Sequence, residues 1–538
     1  MSEQISTATE AASRDDPGDL VVGLVGAVGT DLPAVEAKTI AHLASLGYDL
    51  EEISLSALMR TEYGGGLLDR AIAPYDDYVS EYMTAGNVLR AHWRHAAAMA
   101  YLAIEEIRRR RDSRPIDSKS ACAFVLRSLK RPEEVRLLQT IYRGQFVLVG
   151  CHTPRETRIR QLADTIARSR GAGTVTPYRA RAEQLADRDE HEHGPPTTEP
   201  SIRKWHKDHG QSVEDTFPLA DAYINLEDRD KAAADICRFL NLLLGSPFIS
   251  PSRDEVAMFH AGAAAIRSAD MSRQVGAAIA TVEGDIIAIG CNEVPRAGGG
   301  AYWEGDVDAA RDFERGMDGN QDQRNRAMHE VFNVLEARDL LTSEAINAGP
   351  EKFSEALEDT RVDGLIEFTR ATHAEMAAVL DAARRGVSVH GAILYASAFP
   401  CHNCAKHIIA AGISRVIFIE PYPKSLAEQL HGDAIAVDDP CRRDSSVHFE
   451  HFAGVAPVNY FTLFKSSGKR KELDGSPKVF SAGSIMPKLR GSFHSSPLVH
   501  EEEAIKDLET LRTELGSPTP SMLSAAPVID GQPEASGG

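Results

Sequence analysis

Two short stretches of the chain, THAEMAA and FPCHNCAK, contain the residue types that metal-dependent hydrolysis requires: His373, Glu375, Cys401 and Cys404. A catalytic zinc ion takes three protein ligands, often thiolate and imidazole groups, and leaves its fourth position to water. His373, Cys401 and Cys404 supply such a set. Glu375 follows the histidine closely enough to reach that water without binding the metal. The four residues therefore predict a catalytic zinc centre with a proton carrier beside it.

The C-x-x-C segment must open a helix if both sulfurs are to meet one metal ion. Pro400 precedes the first cysteine, and the apolar residues Ile408, Ile409 and Ile413 follow, so a helix is predicted to begin there. The N-terminus of a helix also favours thiolate over thiol. A zinc ion held there supplies Lewis acidity, which lowers the pKa of water to about 7 in favourable sites.

Two other interpretations of the cysteine pair compete with this one. A closed zinc knuckle needs a fourth ligand, for which His402 or His407 is available, but it leaves Glu375 without a role. A redox-active C-x-x-C pair does not require His373. The order H-x-E followed by P-C-x-x-C resembles the signature of zinc-dependent nucleobase deaminases. That resemblance implies hydrolytic removal of an amino group from a base.

The resemblance extends upstream of the predicted metal site. The chain reads S-x-D-x-S-x-Q-V-G-A and then, after a predicted strand, G-x-N-x-x-P-R, which resembles the deoxycytidylate deaminase family. The family pattern implies a substrate-binding set. Its members are Asn292 for the sugar, Arg273 and Gln274 for phosphate near the entrance, and Ala374 through its backbone amide for the pyrimidine carbonyl. Tyr422, which follows Pro421, is a further candidate for the wall of the base pocket.

Structural roles also fit some of these residues. Asn292 is a suitable turn cap, Gln274 can satisfy a strand edge, and an aromatic residue such as Tyr422 at a strand end is often part of the core. The chain also departs from the family pattern, because Ala377 stands where many cytosine deaminases have an asparagine. That change alters local hydrogen bonding and leaves the metal ligands in place.

The elements around these motifs predict an α/β fold in two domains. Residues 250–465 are expected to form a cytidine deaminase-like α/β/α domain with a mixed sheet. An insertion at 298–370 interrupts it, and the sequence leaves its role open. Residues 20–245 are expected to form a parallel α/β domain for nucleotide binding or regulation. Residues 1–19 and 466–538 are expected to be disordered, the latter apart from one short helix.

The domain over residues 20–245 opens with an apolar strand, a glycine-spaced turn and an amphipathic helix. Gly23, Gly26, Gly29 and Thr30 are its candidate nucleotide-binding residues, because glycines let backbone amides approach a phosphate. The lysine of a Walker A motif is absent, and Asp31 would repel phosphate. A phosphate-binding turn and a purely structural turn therefore both remain open. The order of motifs resembles P-loop nucleotide and dephospho-coenzyme kinases, which implies a P-loop kinase-like fold.

The composition limits the kinds of partner and the cellular location expected for the protein. Among the 538 residues, 79 Asp and Glu against 59 Lys and Arg give a net charge of −20, which argues against a long nucleic acid as the main partner. No apolar run is long enough to span a membrane, and the polar N-terminus has no signal-peptide core. Seven cysteines form no paired framework. A cytoplasmic protein is expected.

The whole arrangement resembles the bacterial anti-phage dCTP deaminases. This resemblance implies zinc-dependent conversion of deoxycytidine nucleotides to deoxyuridine nucleotides, a phage-derived trigger, and a regulatory nucleotide at an N-terminal domain that transfers no phosphate. We also expect a homo-oligomer. A housekeeping dCMP deaminase, a deaminase of cytosine in single-stranded nucleic acid, and a sensor with structural zinc remain alternatives. The sequence does not decide between dCTP and dCMP.

Overall fold

The computed structural model describes residues 19–64, 74–114, 120–192, 198–358, 360–422, 424–439, 446–466, 469–479 and 497–528. The predicted disordered segment 1–19 lies outside them except for Asp19. The chain divides into two compact units. The first comprises Met1–Gly194, Glu199–Pro251 and Ala453–Gly538, and the second comprises Pro195–Thr198 and Ser252–Phe452. Among the described residues, no helix combines the length and apolar character needed to cross a membrane.

The first unit is built on a parallel sheet. Its strands are β1 (Leu20–Val25), β2 (Asp49–Ser54), β3 (Cys122–Arg127), β4 (Phe146–His152) and β5 (Ala222–Asn225). They lie in the order β2-β3-β1-β4-β5, and each pairs in parallel with its neighbours. Every residue of β1 (LVVGLV) is buried, as expected for a central strand covered on both faces. The predicted parallel α/β arrangement is confirmed for these strands.

Helices connect the strands of the first unit. They are α1 (Leu32–Ser45), α2 (Leu55–Glu62), α3 (Tyr75–Trp93), α4 (Ala98–Asp112), α5 (Pro132–Tyr142), α6 (Arg155–Ser169), α7 (Arg179–Glu190), α8 (Pro200–His209), α9 (Val213–Thr216) and α10 (Arg229–Leu243). The Asp31 carboxylate accepts from the Ala34 amide at the start of α1, which also has a proline in its first turn. Both features favour helix initiation at that point.

The second unit contains a mixed sheet. Its strands are β6 (Gly276–Ala280), β7 (Ile286–Cys291), β8 (Ile393–Ala398), β9 (Arg415–Glu420), β10 (Ile435–Val437) and β11 (Val447–His451). The order is β10-β11-β9-β8-β6-β7, with β6 antiparallel to both neighbours and the other pairs parallel. The predicted mixed sheet is confirmed, and β6 and β7 form an antiparallel hairpin within it.

Helices of the second unit flank this sheet and build the insertion. They are α11 (Arg253–Ala265), α12 (Asp312–Arg315), α13 (Gly319–Glu336), α14 (Ser343–Ala356, kinked at Gly349), α15 (Ala374–Arg385), α16 (His402–Ala410) and α17 (Ala427–His431). Helices α12 to α14 belong to the insertion at 298–370. Helices α15 and α16 begin at the two predicted metal-binding segments, and their inner faces join one apolar core with β6 to β9.

The chain beyond the second unit differs from the prediction in two respects. The deaminase domain was expected to reach residue 465, but β12 (Gly454–Val455) pairs antiparallel with β5. The side-chain amide of Asn459 also donates to Asp221 over 2.6 Å. These long-range contacts attach residues 453–466 to the first unit and make its sheet mixed.

The described part of the tail 466–538 contains the predicted short helix and one further helix of four residues. Helices α18 (Tyr460–Phe464), α19 (Pro497–Leu515) and α20 (Ser521–Ser524) follow β12. Within α19, Leu508 is buried, and the fully buried Glu501 carboxylate accepts from Arg111 at 2.6 Å. This buried ion pair attaches α19 to α4 of the first unit. The short helix predicted within the tail is confirmed.

Candidate functional site

Three predicted metal ligands meet in the second unit. The Nδ1 atom of His373 lies 3.3 Å from Sγ of Cys401 and 3.4 Å from Sγ of Cys404. One ligand atom from each residue falls within 4.8 Å of the others. Cys401 and Cys404 follow His373 by 28 and 31 positions in the chain, yet the imidazole and the two sulfurs lie close enough to bind one metal ion.

The starts of two helices place these ligands. His373 is the last extended residue before α15, and Cys401 is the last extended residue before α16. The Cys401 sulfur accepts from the Cys404 backbone N–H at 3.4 Å, which caps α16. The predicted helix start at the C-x-x-C segment is thereby confirmed. Both helix N-termini favour negative charge on the sulfurs.

The surroundings of the two cysteines shift the pKa values of their thiols in opposite directions. Interaction with the Cys404 side chain, together with His373, lowers the pKa of the Cys401 thiol to about 4. The same interaction and burial raise the pKa of the Cys404 thiol. The site thus holds a thiolate at neutral pH, and metal binding at such sites deprotonates the remaining thiol.

The donor set fits a three-ligand zinc site. Sulfur and imidazole are the ligands that zinc accepts in tetrahedral sites with an open position. The two histidines considered for a closed knuckle are engaged elsewhere. His402 Nε2 lies 3.6 Å from a Glu367 carboxylate oxygen, and the exposed His407 ring bonds the Asn403 carbonyl at 2.7 Å. Neither joins the cluster found among the described residues.

Glu375 stands beside the ligands without belonging to the cluster. Its side chain is 4% exposed, and its Oε2 accepts from Sγ of Cys404 at 3.3 Å. Burial raises the pKa of the Glu375 carboxyl above its usual value. A buried carboxylate with a raised pKa takes up a proton more readily than an exposed one, which suits a proton carrier.

A cavity of about 170 Å³ opens onto this centre. Four of the five predicted substrate-binding residues line it: Arg273, Asn292, Ala374 and Tyr422. Other lining residues were not predicted: Asp270, Asp318, Asn320, Ile366, Thr369 and Phe399. The cavity thus joins the metal cluster, Glu375 and the upstream motif in one place.

Asn292 and Gln274 both take part in backbone contacts. The side-chain carbonyl of Asn292 accepts from the Val275 N–H at 2.8 Å, and its amide donates to the Arg273 carbonyl. Asn292 therefore fixes the segment that carries Arg273 while it faces the cavity. Gln274 is exposed, donates to the Ser268 carbonyl at 2.7 Å, and is not among the residues that line the cavity. Its phosphate contact stays a prediction, and its observed partner, the Ser268 carbonyl, lies between α11 and β6 and not on a strand edge.

The unpredicted lining residues have two origins. Asp270 belongs to the S-x-D-x-S motif, and its carboxylate accepts from the Ser272 N–H at 2.8 Å. The motif itself was therefore a usable signal for Asp270. Asp318, Asn320 and Thr369 come from the insertion. No local pattern connects them to the metal site, because only the folded chain brings them there.

A close contact between strand β7 and helix α15 fixes the metal-binding segment. A Cβ atom built at Gly290 would overlap the Ala374 carbonyl oxygen and the Ala378 nitrogen. Replacing Gly290 with alanine is therefore expected to push α15 away, lower stability by about 1–3 kcal/mol and weaken zinc binding. Chemical denaturation and metal analysis measure both effects. Gly364→Ala is the control, since a Cβ there meets no atom closer than 3.5 Å; equal behaviour of the two variants would contradict this account.

The four candidate nucleotide-binding residues of the first unit do not all lie at one site. Gly23 lies within β1, where an added Cβ would meet Leu129 at 2.8 Å, so its role is packing. Gly26, Gly29 and Thr30 line a separate cavity. Gly29 has a φ of +89°, a left-handed conformation that favours glycine.

Comparison with known proteins locates the similarity in the second unit. Residues 251–420 match the family described as the cytidine and deoxycytidylate deaminase zinc-binding region. The deoxycytidylate deaminase of Enterobacteria phage T4 is 45% identical over 53 residues, which cover 10% of this chain and 28% of the phage protein. A probable deoxycytidylate deaminase of Drosophila melanogaster is 28% identical over 194 residues, 35% of this chain and 72% of the fly protein.

Among solved structures, the dCMP deaminase of cyanophage S-TIM5 in its apo form is 18% identical, with a TM-score of 0.21. It covers 38% of this chain and 100% of the phage chain. The chain spans only 28% of the length of the phage T4 relative. The family model and these two relatives nevertheless carry the name of cytidine or deoxycytidylate deaminases, as the motifs of this region predicted.

Proposed function

We propose that the second unit is a zinc-dependent deaminase that converts deoxycytidine nucleotides, dCTP or dCMP, to deoxyuridine nucleotides. The observation that carries this proposal is the buried Glu375 carboxylate, which lies 3.3 Å from a ligand sulfur in the cavity that the His373, Cys401 and Cys404 cluster shares. A structural zinc site has no need of such a group. The relatives named deoxycytidylate deaminase favour dCMP, whereas the resemblance to anti-phage enzymes favours dCTP.

The reaction adds water to the carbon that bears the amino group of cytosine and releases ammonia. Zinc held by His373, Cys401 and Cys404 supplies the Lewis acidity for this addition. Glu375 takes a proton from the attacking water and passes it to the ring nitrogen beside that carbon, then carries the proton of the added hydroxyl to the departing amine, so that a carbonyl forms, ammonia leaves and the carboxylate is regenerated. The backbone N–H of Ala374 binds the pyrimidine carbonyl, and Tyr422 and Phe399 exclude water from the base.

Arg273 is the proposed phosphate contact. It lines the cavity, its side chain is 46% exposed, and it pairs with Glu420, so it lies at the cavity opening. Asp270 and Asp318 also line the cavity, and their negative charge disfavours an anion that reaches deep inside. The phosphate therefore stays at the opening, next to the guanidinium.

Replacing Arg273 with glutamine is expected to raise KM for a deoxycytidine nucleotide about tenfold or more, because a charged hydrogen bond contributes about 1.5–3 kcal/mol. The kcat/KM for the nucleoside deoxycytidine should not change, since it has no phosphate. Steady-state kinetics with the nucleotide and with deoxycytidine measures the two effects. Arg384→Gln, on an exposed arginine paired with Asp381, is the control. An unchanged KM for the nucleotide would mean that Arg273 does not bind the phosphate.

An anti-phage role is the further part of this proposal, and it rests on the resemblance of the whole arrangement to anti-phage dCTP deaminases. Loss of dCTP would deprive phage replication of a precursor. Product analysis with dCTP, dCMP and cytidine, with and without phage lysate, tests it. Activity that rises only with lysate supports a triggered defence enzyme, whereas dCMP deamination independent of lysate supports a housekeeping enzyme.

A further inference from the structure

The first unit contains a cavity of about 280 Å³ at the carboxyl ends of its central strands. Gly26 follows β1, Ser54 ends β2, and Arg127 and Ser128 stand at the end of β3; all four line the cavity. Strand β1 lies between β3 and β4, so the connection from β1 to β2 and the connection from β3 to β4 run in opposite directions along the sheet. Ligands of open parallel sheets bind at such a reversal, outside the carboxyl ends of the strands.

A protein carboxylate already occupies the place where the glycine turn would hold a phosphate. The Val28 N–H donates to Oδ2 of Asp189 at 2.7 Å, and Lys130 donates to the same oxygen at 2.8 Å. Asp189 is fully buried. Asp31, whose carboxylate caps α1, follows the turn. A phosphate at this turn would therefore meet the Asp189 carboxylate and an amide that is already bonded, whereas Asp31 lines another cavity and pairs with Arg229.

Two buried polar atoms of the cavity wall have no hydrogen-bond partner among the residues that the structure describes. They are Oδ1 of Asp189 and Oγ1 of Thr30. An ionised carboxylate oxygen only accepts hydrogen bonds, and a buried polar atom without a partner costs about 1–3 kcal/mol. A ligand that donates an N–H or O–H group here would recover that cost.

In contrast to these polar atoms, helix α3 contributes a row of aromatic rings to the cavity wall. Tyr75, Tyr78 and Tyr82 line the cavity. Their ring centroids are 6.4 Å apart for the first pair and 4.4 Å for the second. Met59, Met83 and Met99 extend the apolar surface. Flat heterocycles bind between such aromatic and thioether side chains.

We propose that this cavity binds a free nucleoside and not a nucleotide. A nucleoside combines a flat base for the tyrosine row with hydroxyl and amino donors for Asp189 and Thr30, and it brings no phosphate to the occupied turn. The inference rests on the first unit alone and holds whether or not the proposed deamination is correct. It gives the first unit the role of a binding module for nucleosides.

Equilibrium dialysis of the full-length protein against labelled thymidine, deoxyadenosine, deoxyguanosine, deoxyuridine and deoxycytidine tests the proposal. At least one of these nucleosides is expected to bind, and its 5′-monophosphate is expected to bind at least about tenfold more weakly. No binding at millimolar nucleoside, or tighter binding of the monophosphate, would overturn the proposal.

Two variants show whether the binding takes place in this cavity. Thr30→Val removes a hydroxyl that lacks a partner among the described residues, so the fold should be kept while nucleoside affinity falls about tenfold. Asp189→Asn keeps an acceptor for Val28 but removes the carboxylate, and it should weaken binding at least as much. Asp187→Asn, on the same helix with a side chain 66% exposed, is the matched control. Unchanged affinity in Thr30→Val would overturn the assignment even if Asp189→Asn failed to fold.

Discussion

Replacing Glu375 with glutamine is expected to lower kcat for deamination by about 10²–10⁴-fold, the usual contribution of general acid–base catalysis. Glutamine keeps the size and polarity of the side chain but cannot take a proton from water and pass it to the amine. The metal ligands are untouched, so the zinc content of the variant should equal that of the parent. Steady-state rates and metal analysis on the same preparation measure the two quantities.

Asp381→Asn provides the matched control for Glu375→Gln. Asp381 lies on the same helix, α15, and pairs with the exposed Arg384, so its removal should leave kcat within about twofold, as for surface substitutions of about 0.5 kcal/mol or less. If Glu375→Gln retained the parent rate with its zinc bound, the carboxylate would not be the proton carrier, and a structural role for the metal would be favoured.

Replacing Cys401 or Cys404 with serine is expected to abolish zinc binding and deamination together. Each cysteine provides one of three ligands, and even loss of a residue that only supports a ligand costs about 10–100-fold in metal affinity. Both sulfurs lie in the apolar core of the second unit, with Cys404 fully buried. Metal loss should therefore also lower the thermal unfolding temperature of that unit. Metal analysis and a thermal melt with and without added zinc measure these effects.

Cys237→Ser is the control for the cysteine variants, because Cys237 is partly exposed and lies in the first unit, outside the metal cluster. It should bind zinc like the parent protein. A Cys401→Ser or Cys404→Ser variant that retained zinc at parental affinity would mean that the metal is held elsewhere.

The clustering of the candidate metal ligands was predictable because the information for it is local. His373 and Glu375 lie within three residues of each other at the start of one helix, and Cys401 and Cys404 occupy the start of another. Helix-start signals and ligand spacing therefore sufficed to place the groups. The first strand of the first unit was likewise visible as the continuous apolar run LVVGLV, whereas the charged strand β2 (DLEEIS) carries no such signal.

Long-range contacts were not predicted, because no short pattern records them. The insertion contributes Asp318 and Asn320 to the cavity beside the metal cluster, although more than fifty residues separate them from His373. Gly290 accommodates the backbone of α15, and in the sequence it is one glycine among 41. Asp189 reaches the Val28 amide across 161 positions, which changes the meaning of a turn that its glycines alone associate with phosphate.

The most direct test of zinc-dependent deamination of deoxycytidine nucleotides is product analysis by mass spectrometry. Zinc-loaded full-length protein is incubated with dCTP and with dCMP, in the presence and absence of phage lysate. We predict the corresponding deoxyuridine nucleotide together with an equal amount of ammonia, and neither product from the Glu375→Gln variant. Absence of any deoxyuridine nucleotide, with zinc bound and lysate present, would contradict the account.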